Sequence, residues 1–260
     1  MPEPALHAYT NQFDGRVFRR SRLRDAIGPS NPIFHLLELL CIDSVFVIQD
    51  DFPGVLNTDI WTASNSGGAG VANFARLADT LDGVIRGDAG TADDADVRLF
   101  TTSNEVFDMG NRPVVMARYR FATVTTLKYE FGLADGVGAG AVNVKATPTS
   151  TATDYAVVIF DTDDDTRTTL VTDGTTDAAG AVDATPAYTT AAATYQTTML
   201  AGNERRECAF WVNGIFRGVR RAGPDAATSL GIWFYCQNRS AASHTMDIDY
   251  VLGMQERTAI

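Results

Sequence analysis

The sequence predicts an all-β protein whose antiparallel strands pack as a two-sheet sandwich. Several short runs alternate apolar and polar residues, as strands with one buried face do. An Asn-Gly pair separates two of these runs at hairpin spacing, and no strand–helix–strand alternation is visible. Counting the runs gives roughly ten to twelve strands, which the 260 residues can place in one large domain.

The predicted strands begin at Val45 and continue towards the C-terminus. Val45–Ile48 is a short apolar run of the strand type. Ala117–Phe121 and Leu127–Phe131 alternate apolar with charged residues, which predicts one buried and one solvated face for each strand. Tyr155–Phe160, which polar loops bound, and Leu230–Cys236 are further apolar runs that we expect to be strands.

A hairpin and a long final strand complete the predicted body. Asn213-Gly214 lies between Cys208–Val212 and Ile215–Val219, and both residues of this pair favour the positive φ angles of a two-residue turn. The last strand is predicted from five alternating apolar positions: Met246, Ile248, Tyr250, Leu252 and Met254. Residues 147–198 contain 17 threonines, which predicts edge strands and long loops on a solvated face, with low-complexity disorder as the alternative.

Residues 1–44 differ from the predicted β body, residues 45–260, and are predicted to form an arm with short helical segments. Gly28-Pro29 would end a first helix, and Asn31-Pro32 would begin a second over Ile33–Cys41. The second helix is apolar nearly all round, so it must be buried on most sides. The residues predicted to contact a partner are Arg16, Arg19, Arg20, Arg22, Arg24, Phe34, Leu37 and Leu40. For the arginines, a solvated helix face is the alternative.

The charge distribution excludes a body that wraps nucleic acid. The chain has 21 basic and 32 acidic residues, a formal charge of −11. Residues 1–44 contain five of each sign, so residues 45–260 hold 16 basic and 27 acidic residues and carry the whole −11. Phosphate binding needs a net basic face, which this body does not have. The basic cluster of the arm instead indicates electrostatic docking to other copies of the chain or to an acidic shell.

The sequence also argues against secretion, membrane insertion and a disulfide framework. Its first residues lack the charged segment and apolar run of a secretory signal. The most apolar window, Ile33–Ile48, contains His35, Glu38 and Asp43, whereas a spanning helix of about 20 residues carries almost no charge. Three cysteines are too few for a framework of disulfides.

No catalytic residue is predicted, and we expect the protein not to be an enzyme. Retaining glycoside hydrolysis needs two carboxyl groups about 5–5.5 Å apart on one face. The nearest set is Asp247, Asp249 and Glu256, of which only the first two share a strand face. We interpret this set as a polar strand face.

One run of carboxylates is the candidate for a metal site. Asp161, Asp163 and Asp165 follow a predicted strand, and hard oxygen ligands at alternate positions suit calcium. The glycine and the glutamate that an EF-hand loop requires are missing here. A solvated acidic loop is therefore the favoured interpretation, and no cofactor is predicted.

A sugar site would need an exposed aromatic residue close to Asp or Asn. The candidates are Trp211, Trp233 and Tyr235. All three lie at strand positions, where large aromatic side chains more often belong to the core. We therefore favour core positions for them.

Several short motifs follow one another through the body: Asp50-Asp51-Phe52 with Trp61, Arg112-Pro113-Val114, Phe131-Gly132-Leu133-Ala134-Asp135, Phe210–Gly214 and Asp247–Val251. In this order they resemble the concanavalin A-like (laminin-G-like) jelly-roll domains of structural proteins of tailed bacteriophages. The resemblance covers residues 45–258. It implies a two-sheet jelly roll and a role in the virion, as a decoration, minor capsid or fibre-associated protein.

The resemblance thus implies a non-enzymatic virion protein that binds the phage particle through the arm. Its partners would be the major capsid protein or other virion proteins, and its location the virion, assembled in the host cytoplasm. We expect a homo-oligomer, because an exposed apolar arm is unfavourable in isolation, and the family analogy points to a trimer. The alternative is a carbohydrate-binding, lectin-like module for host-surface recognition, with a glycan as its ligand; a glycosidase is the third hypothesis. No nucleic acid or membrane partner is expected.

Overall fold

The computed structural model describes residues 45–53, 56–66, 74–77, 83–101, 106–136, 151–174 and 177–256. These ranges hold fifteen β-strands and a single 3-10 turn, Met109–Asn111. The predicted arm, with its arginines and with Phe34, Leu37 and Leu40, lies outside them. The strand count exceeds the predicted roughly ten to twelve, because strands as short as Ala75–Arg76 contain too few residues to show alternation.

The strands form two antiparallel sheets. In chain order they are β1 (Val45–Asp50), β2 (Trp61–Asn65), β3 (Ala75–Arg76), β4 (Ile85–Asp88), β5 (Asp96–Thr101), β6 (Val114–Phe121), β7 (Leu127–Ala134), β8 (Tyr155–Asp161), β9 (Asp165–Gly174), β10 (Asp177–Asp183), β11 (Gln196–Gly202), β12 (Cys208–Val212), β13 (Ile215–Arg220), β14 (Gly231–Asn238) and β15 (Thr245–Glu256). The eight-stranded sheet has the order β13-β12-β11-β6-β15-β4-β3, with β1 also paired to β15, and the seven-stranded sheet has the order β10-β9-β8-β7-β14-β5-β2. Every pairing is antiparallel, which confirms the predicted all-β two-sheet sandwich.

The core lies between the two sheets and is rich in aromatic rings. Tyr119 of β6 contacts Tyr129 and Phe131 of β7, with ring centroids 5.7 Å apart in both pairs. Phe121 stacks on Tyr129 at a centroid distance of 4.5 Å. The buried hydroxyl of Tyr119 is satisfied by Thr198, whose Oγ1 lies 2.9 Å away. Burial raises the pKa of both tyrosines, so these hydroxyls stay neutral inside the sandwich.

The final strand, β15, does not present one continuous apolar face. Its pairing with β6 shifts register between Ile248 and Tyr250, which marks a β-bulge. Ile248 and Val251 both belong to the core, whereas Leu252 and Met254 are buried outside that core cluster. The predicted five-residue alternation was therefore wrong as a single face, because the bulge moves its second half to the outer face of the sheet.

The hairpin between β12 and β13 is confirmed. Asn213 and Gly214 have φ angles of 52° and 73°, as a two-residue turn that matches strand twist requires. Three apolar side chains of β13 are exposed: Ile215, Phe216 and Val219.

The threonine-rich segment is largely inside the seven-stranded sheet. β8 lies between β7 and β9, and every residue of β8 is buried. Thr169 and Thr172 of β9 are buried as well. The predicted solvated face was wrong for these strands, because the core volume comes from the interleaved apolar run Tyr155–Phe160 and not from the threonines themselves.

Gly132 offers a test of the close pairing between β7 and β8. A Cβ atom at this position would lie 2.1 Å from the carbonyl oxygen of Ala156, which is backbone and cannot swing away. We expect Gly132→Ala to lower the free energy of unfolding by about 1–3 kcal/mol, as overpacking does. Thermal and urea unfolding measure the change. Gly214→Asn is the control, because no atom lies within 4 Å of that Cβ and Asn tolerates positive φ; equal stability of both variants would contradict the packing argument.

Candidate functional site

The outer face of the seven-stranded sheet carries a buried cluster of aromatic and charged side chains. The Trp233 and Tyr235 rings stack with centroids 5.8 Å apart. Trp233 Nε1 donates a 2.9 Å hydrogen bond to Glu130, and Lys128 Nζ lies 2.8 Å from the same carboxylate. All four residues are buried. The predicted solvated face of Leu127–Phe131 was therefore wrong.

This buried cluster does not display its aromatic rings to a ligand. Burial raises the pKa of Tyr235 far above its ordinary value, so its hydroxyl is neutral. Glu130 is occupied by the indole and ammonium donors, which is how a carboxylate becomes tolerable in a buried position. Two of the three aromatic sugar-binding candidates, Trp233 and Tyr235, are thus buried, in agreement with the core positions predicted for them.

The candidate calcium ligands have arginine partners. The Nε of Arg239 donates a 3.0 Å hydrogen bond to Asp161, and the same guanidinium lies 3.6 Å from Asp163. Asp165 pairs instead with Arg167. A guanidinium therefore occupies the place where calcium would be expected. Within the described ranges, no group of three or more His, Cys, Asp or Glu side chains could hold a metal ion.

The carboxylates considered for hydrolysis are also paired with arginines. Asp249 pairs with Arg118, and Glu256 lies 3.2 Å from Arg112. The carboxylate of Asp247 accepts hydrogen bonds from two arginines, described below. This arrangement agrees with the interpretation of these residues as a polar strand face.

A second cluster, which we name the arginine–tyrosine patch, lies on the outer face of the eight-stranded sheet. Its members are Arg86 of β4, Arg118 and Arg120 of β6, Tyr195 immediately before β11, and Asp247 and Asp249 of β15. The core-facing residues of β6 are Ala117, Tyr119 and Phe121, so the two arginines between them must point away from the core. The strand order places β4, β15, β6 and β11 side by side, which brings these distant residues together.

The aspartates of the patch hold its guanidinium groups in place. Arg86 donates two hydrogen bonds to Asp247, at 2.6 and 2.8 Å, and Arg120 donates a third at 2.9 Å. The Arg118 and Arg120 guanidinium carbons lie 4.2 and 4.7 Å from the centroid of the Tyr195 ring, within cation–π distance. The patch is therefore a fixed arrangement of side chains from three strands and from the residue that precedes a fourth.

The cationic ends of the patch face solvent, whereas its carboxylates do not. The side chains of Arg86, Arg118 and Arg120 are 38%, 41% and 32% exposed, against 4% for Asp247. Burial raises the pKa of Tyr195, with the nearby aspartates adding to the effect of burial, so its hydroxyl remains protonated. The patch consequently presents guanidinium N–H groups and a phenol beside one another to a ligand.

An apolar row borders the patch on the same sheet face. Phe216, Trp211, Met199, Met116 and Leu252 lie opposite one another across five neighbouring strands. Trp211, the third aromatic candidate, is only partly buried, and its ring lies 5.6 Å from that of Phe216. The row separates the patch from the far end of the sheet.

Sequence reasoning did not find the patch. The alternation in Ala117–Phe121 indicated that Arg118 and Arg120 face solvent, which is correct. Nothing local joined them to Arg86 or Tyr195, because those residues lie on other strands and only the strand register brings them close. The arginine pair was the available signal, and it was interpreted as a solvated face alone.

No protein-family model and no curated protein sequence matches this chain significantly. Solved structures match its fold. A protein of unknown function from Shewanella oneidensis MR-1 has a TM-score of 0.57 at 14% identity, covering 88% of this chain and 98% of that one. A Bacillus licheniformis β-glucanase has a TM-score of 0.53 at 12% identity, covering 82% and 98%. The potassium-bound carbohydrate recognition domain of Emp46p has a TM-score of 0.54 at 10% identity, covering 81% and 96%.

These likenesses establish a concanavalin A-like jelly-roll sandwich and nothing finer. Identities of 10–14% show a shared fold alone. The virion role, the oligomeric state and the location that the resemblance implies are not tested by these matches and stay predictions. In the part of the chain that the structure describes, no helix is long and apolar enough to cross a membrane.

Substitution of Arg239 tests whether its guanidinium group takes the place of a calcium ion beside Asp161. Its removal in Arg239→Ala would leave Asp161, whose side chain is 3% exposed, without its cation. We expect a loss of about 3–5 kcal/mol in the free energy of unfolding, the range for a broken buried pair. Calcium should raise the melting temperature of this variant, because Asp94, Asp161 and Asp163 then lack the guanidinium group that they share. It should leave the melting temperature of the wild type unchanged.

Arg167→Ala serves as the matched control, because that arginine is 53% exposed and its pair with Asp165 should contribute at most about 1 kcal/mol. Differential scanning calorimetry with calcium and with chelator distinguishes the cases. A calcium-dependent rise in the wild-type melting temperature would show that the site binds metal despite Arg239.

Proposed function

We propose that residues 45–256 form a non-catalytic carbohydrate-binding domain and that the arginine–tyrosine patch is its binding surface. The observation that carries the proposal is the exposure of three guanidinium groups, two of which lie over the Tyr195 ring, while Asp247, which orients two of the three, is buried. A saccharide needs fixed hydrogen-bonding groups and an apolar ring surface next to each other. The arginines of the patch supply the hydrogen-bonding groups from strands, whose pairing fixes the side-chain positions, and the half-buried Tyr195 beside them supplies the ring.

The fold supports this proposal over the virion role. A carbohydrate recognition domain and a β-glucanase share the sandwich, so the architecture accommodates saccharides in other proteins. Fold alone does not assign a function, and for that reason the proposal depends on the patch. The virion hypothesis rests on the arm, residues 1–44, which lies outside the described residues, and it gains no support from the described strands.

The proposal excludes hydrolysis on the grounds of the carboxylate partners. A glycosidase needs one carboxyl group that stays protonated beside the scissile bond and a second that is ionised. Asp247 and Asp249 are each engaged in ion pairs with arginines, and Glu130 is buried against Lys128. These three carboxylates therefore suit a structural role. The potassium in the Emp46p structure makes a bound cation compatible with the fold, but we assign no metal to the patch.

The glycan-binding proposal is tested by a glycan array followed by titration calorimetry. We expect the wild type to bind at least one glycan and Tyr195→Ala to weaken that binding about tenfold or more, since the ring supports both arginines and the ligand; tenfold corresponds to about 1.4 kcal/mol. Phe216→Ala is the control, because it removes an exposed aromatic ring outside the patch. The absence of binding to every glycan, or equal affinities of wild type and Tyr195→Ala, would contradict the proposal.

A further inference from the structure

We infer, on the basis of the proposed function, that the arginine–tyrosine patch selects acidic saccharides: the group it recognises is a carboxylate or sulfate oxyanion on the sugar. The inference goes beyond carbohydrate binding because a sandwich of this fold gives no preference for charge. It follows from the charge balance, the hydrogen-bonding capacity and the spacing of the patch.

The patch has an excess of positive charge on an acidic protein. Its three arginines face two aspartates, a balance of +1 for the six residues, while the chain as a whole has a formal charge of −11. A third carboxylate, Asp88, lies at the edge of the patch and attracts Arg86. Asp247 and Asp249 lie beneath the guanidinium groups and are largely shielded from solvent. A ligand approaching from solvent therefore meets the cations first.

Most hydrogen-bond donors of the patch remain available. Each guanidinium group has five N–H donors and no acceptor. Arg86 uses two of them, and Arg118 and Arg120 use one each, all on the aspartates. The other N–H groups of these arginines have no hydrogen-bond partner among the described residues.

This imbalance determines the chemistry of the ligand. A neutral sugar hydroxyl is best bound by a donor and an acceptor together, and the acceptor oxygens of Asp247 already receive three hydrogen bonds. The patch thus offers donors in excess, and its ligand must supply acceptors. A carboxylate or a sulfate does so and forms charge-assisted hydrogen bonds with the planar guanidinium.

The spacing suits the acidic group of one sugar unit. Arg118 and Arg120 project from alternate positions of β6, about 7 Å apart along the strand, over one tyrosine ring. Beyond the patch the acidic body repels further negative charge, so a densely charged polyanion such as a nucleic acid gains no affinity from its length. The local geometry therefore favours an acidic sugar unit within a saccharide.

Affinity gel electrophoresis of the full chain tests the inference. The gels contain polygalacturonate, whose only anionic groups are carboxylates, κ-carrageenan, whose only anionic groups are sulfates, methyl-esterified polygalacturonate or neutral laminarin. We expect at least one of the two anionic polysaccharides to retard the protein at least about tenfold more strongly than the esterified and neutral ones do. Added salt should weaken this retardation. The comparison of the carboxylated with the sulfated polysaccharide shows which oxyanion is preferred. A single-stranded DNA oligonucleotide is the competitor.

Paired variants connect the binding to the patch. Arg118→Gln with Arg120→Gln should lower the affinity at least about tenfold, a loss typical of charged hydrogen bonds. Arg86 still pairs with Asp247 in this variant, which protects the fold. Arg167→Gln with Arg221→Gln removes the same charge from exposed arginines elsewhere and should bind like the wild type. Arg118→Lys keeps the charge but not the planar guanidinium group, so its affinity should lie between those of the wild type and the double variant. Reduced affinity in this conservative variant would show that the loss does not come from misfolding.

The outcomes separate this inference from the proposed function. Equal retardation by esterified and unesterified polygalacturonate, with loss in Tyr195→Ala, would overturn the acidic preference and leave carbohydrate binding intact. Failure to bind any glycan would overturn both. Binding of the DNA oligonucleotide as strongly as the anionic polysaccharides, or an equal loss in the Arg167 and Arg221 control, would overturn the selectivity by showing a general response to charge.

Discussion

The β-bulge of β15 is the constraint on which both faces of the eight-stranded sheet depend. In a regular strand, Ile248 and Tyr250 would share a face and Val251 would point the other way. The register shift at this point instead returns Val251 to the core and turns Tyr250 outward. Gly253 then faces the core, where a Cβ would lie 2.6 Å from Phe107. The shift begins after the position where Asp247 lies opposite Arg120, and it places Tyr250 instead of Asp249 opposite Arg118. The bulge therefore affects both the packing of the core and the surroundings of one patch arginine.

Short sequence patterns correctly predicted those turns and strands whose conformation depends on neighbouring residues alone. The Asn213-Gly214 turn formed as expected, because positive φ at two successive positions is a property of those residues. The strand Ala117–Phe121 was also correct, since its alternation matches one buried and one solvent-facing side. Alternation failed at Leu127–Phe131, where Lys128 and Glu130 are as buried as their apolar neighbours. A two-residue period reports only that two faces differ, and it cannot tell whether the polar face is covered.

The arginine partners of the candidate site could not be predicted from the sequence, because they pair with aspartates far away along the chain. Asp161 was predicted as a calcium ligand from its own acidic neighbours, but its partner Arg239 is 78 positions away. Arg86 and Asp247, at the centre of the patch, are separated by 161 positions. No spacing rule connects such residues. They meet because β4, β6 and β15 are adjacent in the sheet, which is a consequence of the whole topology.

The arginine–aspartate pairs also explain how an acidic chain can present a donor-rich surface. A buried carboxylate is costly unless donors surround it, so Asp247 fixes two guanidinium groups above itself. Those groups retain donors that point outward, because a planar guanidinium can pair on one edge and bind on another. The negative charge of Asp247 is thereby neutralised by arginines of the patch and is not presented to a ligand. The acidity of the rest of the body then confines recognition to the patch, since charges of a polyanion beyond the unit that reaches the arginines are repelled and add no affinity.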